Sequence, residues 1–286
     1  MPKGPSPSSP IRVPHPWLDA AVIFATGAAS WRTETADLAQ QLNRPVPLGC
    51  RCLIVPSAPH SGSRTIAHQI AGILTRSRTL PGLLLDASPN AEESIPVWHT
   101  VEGAAAPASA IETHTLVGTG KDGLLGQLRL PEWFGERPAA WDDARTKLFR
   151  FYDTVTTHAG PLDQNSLVAS AGQVHAIVLV SPANRGDVES GRDLLGKVQA
   201  EIDNRGPSLR SPHRPRLLHA VVAKQPGPVL VPRLQPEEHL VPYDTVLAQT
   251  TAYHTKAPGL LSRRTGTAIA RLAAAIVSAA ASEVRA

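Results

Sequence analysis

Residues 51–89 constrain the fold more than any other stretch. They read RCLIVPSAPHSGSRTIAHQIAGILTRSRTLPGLLLDASP. An apolar strand, Cys52 to Val55, runs into a loop of small residues, Pro56 to Ser63, and the loop opens a helix over 64–76. A second apolar strand, Leu83 to Leu85, ends on Asp86. A strand–loop–helix–strand unit of this kind opens an α/β domain, and it makes a seat for an anion. Loop N–H groups and the positive end of the helix converge on one point.

Phosphate loops of the G-x-x-x-x-G-K-[ST] type share this architecture. Here Ala58 stands for the first Gly, Ser63 for the second, Arg64 for the Lys and Thr65 for the Ser/Thr. Only Thr65 satisfies the pattern. Ala58 and Ser63 carry side chains where backbone must approach phosphate. Arg64 keeps the charge on a longer, planar, forked group.

The remaining chain alternates strand-like and helix-like segments. A helix is expected within 33–46, capped by Thr33 or Thr35. Segments 98–101 and 112–116 are expected as strands, 118–128 as a turn before a short helix, and 141–150 as a helix on Trp141, Ala144 and Leu148. Strands are expected at 152–157, 175–180 and 217–223, with a short one ending at Val241. Helices are expected at 162–171, 187–203 and 257–281. HAIVLV at 175–180 is near-continuously apolar, as a strand buried on both faces requires. The expected fold is therefore α/β: a mostly parallel twisted sheet with helices on both faces, a three-layer sandwich. Ligands of such sheets sit at the carboxyl ends of the strands. Those ends are the loops at 56–63, 86–89, 158–161, 181–185, 224–228 and 242–244.

By composition, residues 1–15 form a Pro/Ser-rich disordered tail, 16–48 a helical lead-in and 49–286 the α/β domain. The 42% hydrophobic content suffices for a core of that size. A formal charge of +4 is too mild to imply nucleic acid. The basic loop 205–216 reads as solvated, and so does Asp153. The two cysteines, Cys50 and Cys52, are expected on opposite faces and unpaired, in a reducing compartment. No basic-then-apolar leader is visible, no run approaches roughly 18 apolar residues, and the expected location is cytoplasmic. A membrane-surface role for the last helix is disfavoured, since Arg271 alone offers little positive charge.

In order and spacing the pieces resemble the MinD/ParA-like (SIMIBI-class) P-loop ATPases, in particular a branch found beside type VII secretion genes. LNRPVPLGCRCLIV resembles the lead-in to the first strand, and SAPHSGSRT stands where the family has S-G-K-G-G-x-G-K-T. LLLDASP resembles a strand ending in D-x-x-P, FYDTVTTHAGPL resembles F-D-x-V-x-x-D-x-G-P, and HLVPYDTVLA resembles a late V-P-Y-D-x-x-L-A segment. The resemblance runs from about Leu38 to Ala281.

That resemblance implies ATP and Mg²⁺ as cofactors. The loop residues Ala58, Pro59, His60, Ser61, Gly62, Ser63, Arg64 and Thr65 would face phosphate, together with Asp86 and Gly160. Lys224 and Tyr243 would lie near the base, and Thr65 and Asp86 would be indirect Mg²⁺ contacts. It also marks departures. The family's cross-dimer signature Lys is Pro59, its P-loop Lys is Arg64, and its metal-organising Asp is His158. Hydrolysis of ATP depends on charge neutralisation around phosphate and metal. The expectation is therefore a pseudo-ATPase acting through protein partners, in secretion or positioning, with nucleotide binding weak or lost. An ATP-bridged homodimer is doubtful without the signature Lys. Two alternatives stand beside it: an active, divergent Mg-dependent ATPase using Arg64, and a different enzyme built on His60 and His158, as metal ligands or bases. No catalytic residue is assigned; His158 holds the position of the Asp in the D-x-G segment.

Overall fold

The computed structural model describes residues 29–46, 49–89, 91, 93–99, 106–107, 109–119, 123–131, 133, 139–205, 214–249 and 261–282. Eight strands form one sheet: β1 (Cys50–Pro56), β2 (Gly82–Ala87), β3 (Gly118–Thr119), β4 (Leu125–Arg129), β5 (Thr154–Ala159), β6 (Ala176–Pro182), β7 (Arg216–Val222) and β8 (Glu238–Val241). Their order is β3-β4-β2-β5-β1-β6-β7-β8. Every pairing is parallel except β3 with β4.

Helices cover both faces. They are α1 (Ala29–Leu42), α2 (Ser63–Arg78), α3 (Ala110–Leu116), α4 (Ala139–Leu148), α5 (Gln164–Ala171), α6 (Arg185–Arg205), α7 (Thr245–Gln249) and α8 (Arg263–Ser282). Alternation along β1 assigns the faces. Cys50, Cys52 and Ile54 join the core under α2 and α8, while Leu53 and Val55 join the core under α4, α5 and α6. Both sets are buried, so β1 reads as a continuous apolar run. α8 is long and apolar enough to cross a membrane by length and composition. In this fold its Ile269, Leu272, Ile276 and Val277 are buried in the core that it shares with α2.

The structure corrects several expectations. Cys50 and Cys52 lie on the same face, because residues two apart on a strand share a side; both are buried free thiols. Residues 112–116 are helical, capped by Ser109, whose side chain accepts from Glu112 N–H. The run is too short for its period to separate strand from helix. The helix expected near 118–128 is instead β3 and β4, and Gly126 permits close packing of Val117 and Tyr152 against β4. Of the strand expected at 98–101, Trp98 and His99 are irregular, and the neighbouring Val97 makes an isolated bridge to Arg129. α1 begins before Thr33 and Thr35, which therefore do not cap it. Asp153 is ion-paired with Arg78, its side chain 18% exposed, rather than solvated. The tail at 1–15, Lys121 and most of the basic loop lie outside the described residues.

Candidate functional site

The loop after β1 turns sharply. His60 has φ 57° and Gly62 has φ 91°, both left-handed. Gly adopts such a backbone without steric cost, whereas His60 is strained. α2 then starts at Ser63 with no side-chain cap. An α-helix leaves its first N–H groups without intrahelical acceptors; here Ile66 N–H is taken by Gly62 C=O at 3.0 Å. Pro59 contributes no N–H to the loop, and Ser57 N–H donates to Val180 C=O at 2.9 Å. The hydroxyls of Ser57 and Ser61 are buried with no partner among the described residues.

Strand parity brings the next groups together. Asp86 of β2 and His158 of β5 are register partners. They lie on the α2 side, as do Leu84 and Cys52. His158 Nδ1 lies 3.0 Å from Asp86 Oδ1, and His158 Nε2 lies 2.9 Å from Ser63 Oγ. Arg64 Nε donates to Asp86 Oδ2 at 3.1 Å, and its Nη2 donates to Ser88 Oγ. Ser88 returns two bonds to Asp86 Oδ1, from N–H at 3.0 Å and from Oγ at 2.6 Å. Asp86 is 1% exposed and His158 3%.

Burial alone would push the Asp86 carboxyl up. The hydrogen bond and charge of His158, the charge of Arg64 and the Ser88 bond together hold it well below the usual carboxylate range. Asp86 is thus ionised and accepts only. Nδ1 of His158 is therefore the donor to Asp86.

This arrangement does not fit Mg²⁺ at Asp86. Both carboxylate oxygens already accept, Oδ2 from the Arg64 guanidinium and Oδ1 from His158 and Ser88. Nor do His60 and His158 fit a metal pair. His60 is exposed, and both nitrogens of His158 are taken. Among the described residues no group of three or more His, Cys, Asp or Glu is placed to hold a metal.

The phosphate side differs. Gly62, Thr65, Lys224, Tyr243 and Asp244 line a cavity of about 90 Å³ between α2 and the ends of β7 and β8. Lys224 stands over the start of α2, where a Cβ built on Gly62 would lie 3.5 Å from its Nζ. Burial of that amine against the cavity pulls its pKa below the usual value. Asp244 accepts from Val246 N–H at 2.9 Å and Ser262 N–H at 2.7 Å, fixing this wall to the approach of α8. The orphaned Ser61 hydroxyl and the helix terminus suit a phosphate group. Gly160 follows β5 beside Pro89, and Ala58 is half-buried in the loop.

Sequence reading missed Ser88 as the partner that completes the Asp86 network. It also missed a second network on the opposite face. There His219 Nε2 lies 2.8 Å from Ser181 Oγ and His219 Nδ1 lies 3.2 Å from Glu238 Oε1. Arg192 clamps Glu238 at 2.7 and 2.6 Å. The only sequence signal was a His inside an apolar strand.

No family model matches the chain, and no curated protein matches it. Solved structures with a similar fold include a ParA family ATPase of Chlorobium tepidum TLS, 13% identical, covering 82% of this chain and 98% of that one, TM-score 0.49. A candidate plasmid partition protein of Borrelia burgdorferi B31, bound to AMPPNP, is 11% identical over 71% of this chain and 90% of that one, TM-score 0.45. The MinC:MinD cell division complex of Aquifex aeolicus gives 13% identity over 61% and 69%, TM-score 0.41.

Proposed function

We propose that this chain is a degenerate MinD/ParA-like P-loop protein, a cytoplasmic pseudo-ATPase that acts through protein partners, in secretion or positioning. One observation carries the reading. Arg64, at the P-loop Lys position, is turned onto Asp86 rather than toward the phosphate seat. A cation committed to a buried carboxylate 3.1 Å away is not available to a γ-phosphate. His158 and Ser88 satisfy the remaining acceptor capacity of Asp86, which supports loss of the metal as well.

A second reading keeps nucleotide binding. The orphaned hydroxyls of Ser57 and Ser61, together with Lys224 over the start of α2, favour phosphate held without turnover. An active Mg-dependent ATPase would further require Arg64 to leave Asp86.

The test is calorimetry of ATP with the full chain, with Mg²⁺ and with EDTA, on wild type and Lys224→Ala, followed by a hydrolysis assay. The pseudo-ATPase reading expects affinity that is weak or absent, indifferent to Mg²⁺, and no turnover. Micromolar ATP affinity that Lys224→Ala abolishes would establish the second reading. Mg²⁺-dependent binding with steady hydrolysis would overturn both.

A further inference from the structure

We propose that the contact of Arg64 with Asp86 and Ser88 is an autoinhibitory latch, which withholds a cation from the anion seat at the start of α2 until a polyphosphate competes for it. It rests on the second reading, in which that seat holds phosphate, and it regulates the same seat.

Seat and latch share one helical turn. Gly62 and Thr65 line the cavity under Lys224. Ser63 and Arg64, between them, turn toward the ends of β5 and β2 instead, since successive residues leave a helix in different directions. The start of α2 carries no side-chain cap. Ser63 is anchored separately, its Oγ 2.9 Å from His158 Nε2. Release of Arg64 therefore leaves α2 seated, and a side chain alone has to move.

Asp86 can release its partner without being left bare. Its Oδ1 keeps His158 at 3.0 Å and the N–H and hydroxyl of Ser88 at 3.0 and 2.6 Å. The cation is the side of the pair that ligand and solvent reach, 16% exposed against 2% for the carboxylate. The second network shows what a fixed clamp looks like. Arg192 grips both oxygens of Glu238 at 2.7 and 2.6 Å and also donates to Arg233 C=O at 2.8 Å. Arg64 instead reaches Asp86 Oδ2 through Nε at 3.1 Å and gives Nη2 to a neutral hydroxyl. A phosphate offers the same guanidinium a bidentate, charge-assisted pairing.

Opening exchanges one anion for another. The Nε–Oδ2 contact breaks, the guanidinium turns to phosphate oxygens at the start of α2, and no covalent bond or proton moves. While the latch is closed, apparent affinity is reduced by the fraction of chains in which Arg64 is free. Weakening the anchor should therefore tighten binding, although the anchor itself never touches the ligand.

The test is calorimetry of ATP in EDTA on the full chain, comparing wild type, Asp86→Asn, Arg64→Gln and Arg64→Gln/Asp86→Asn. Asp86→Asn keeps the shape of the anchor and removes its charge. It should bind ATP about 30-fold more tightly than wild type, inside the roughly 5–150-fold scale of coupling between two sites. In the Arg64→Gln background the same change should gain only about twofold, the through-space effect of one carboxylate in a water-like dielectric. Circular dichroism checks that each variant folds. If Asp86→Asn does not fold, Ser88→Ala replaces it in both backgrounds, with an expected gain of about tenfold, the scale of one hydrogen bond. A gain that persists undiminished without Arg64 overturns the latch, because Asp86 would then act by charge alone. Equal, measurable affinity of wild type and the folded anchor variant overturns the latch and leaves the second reading standing. No binding to the folded anchor variant overturns both.

Discussion

The pairing of Arg64 with Asp86 makes a quantitative prediction that separates a buried latch from a surface contact. The Arg64 side chain is 16% exposed and that of Asp86 2%. Removing one partner of a buried ion pair costs roughly 3–5 kcal/mol, because the other charge is left without its partner. Asp86 keeps His158 and Ser88 when Arg64 is lost, so Arg64→Ala should cost about 3 kcal/mol, the lower end. At roughly 2–4 °C per kcal/mol in a chain of this size, the melting temperature should fall by about 6–12 °C. Asp86→Asn alone should also destabilise, and in the double variant the losses should overlap. A double-mutant cycle by urea unfolding at pH 7 should give a coupling energy of about 2 kcal/mol, little changed by added salt. Exposed pairs give roughly 0.2–1 kcal/mol and weaken with salt. A coupling below about 0.5 kcal/mol would mean that Arg64 is not committed to Asp86 and is free for a phosphate.

Two further predictions concern the same chemistry elsewhere. In the second network, burial would raise the Glu238 carboxyl, but Arg192, the Gln235 N–H and His219 pull it down from 4.5 to about 2. A carboxylate with a folded pKa below its unfolded one contributes stability that is complete above the unfolded value and is lost as pH falls through the folded one. Asp86 is depressed in the same sense. Urea midpoints should therefore hold steady above about pH 5 and fall progressively toward pH 2, a decline that Arg192→Met should begin from a lower plateau. Arg192→Met itself should cost about 3 kcal/mol at pH 7 in the same unfolding assay, since Glu238 is buried with His219 as its remaining side-chain partner.

The layers of the fold were legible because apolar runs and their period are local properties. HAIVLV at 175–180 is β6, displaced by one residue at the start, and Trp141, Ala144 and Leu148 are the buried face of α4. The misreadings fall where local pattern is silent. Residues 110–116 are too short to show a period, and β4 carries Gly126 because neighbours crowd it, a fact of tertiary packing. The site was half legible. Asp86 and His158 were each recognisable at strand ends, but their contact depends on β2 and β5 being adjacent and in register, which the sequence order of β2, β3, β4 and β5 conceals. Ser63 was read as a misplaced glycine. Its role as partner of His158 becomes visible only once α2 is seated over those two strands.

Register sets what a change at position 158 would do to Asp86. Position 158 faces Asp86 directly across β5 and β2. Cross-strand neighbours hold their Cβ atoms about 5 Å apart. An Asp at 158 would set two carboxylates there, a repulsion of about 3 kcal/mol at an effective dielectric of about 20. Only part of it would be relieved by Arg64, and a bound dication would relieve the remainder. His158 instead donates to Asp86. His158→Asp should therefore lower the melting temperature more than His158→Asn, which loses the ring without adding charge. Millimolar Mg²⁺ should restore much of the difference in the Asp variant and leave wild type and the Asn variant nearly unmoved. Equal melting of the two variants, or equal Mg²⁺ shifts in all three proteins, would show that the Asp86 pocket cannot be made to bind metal by charge alone.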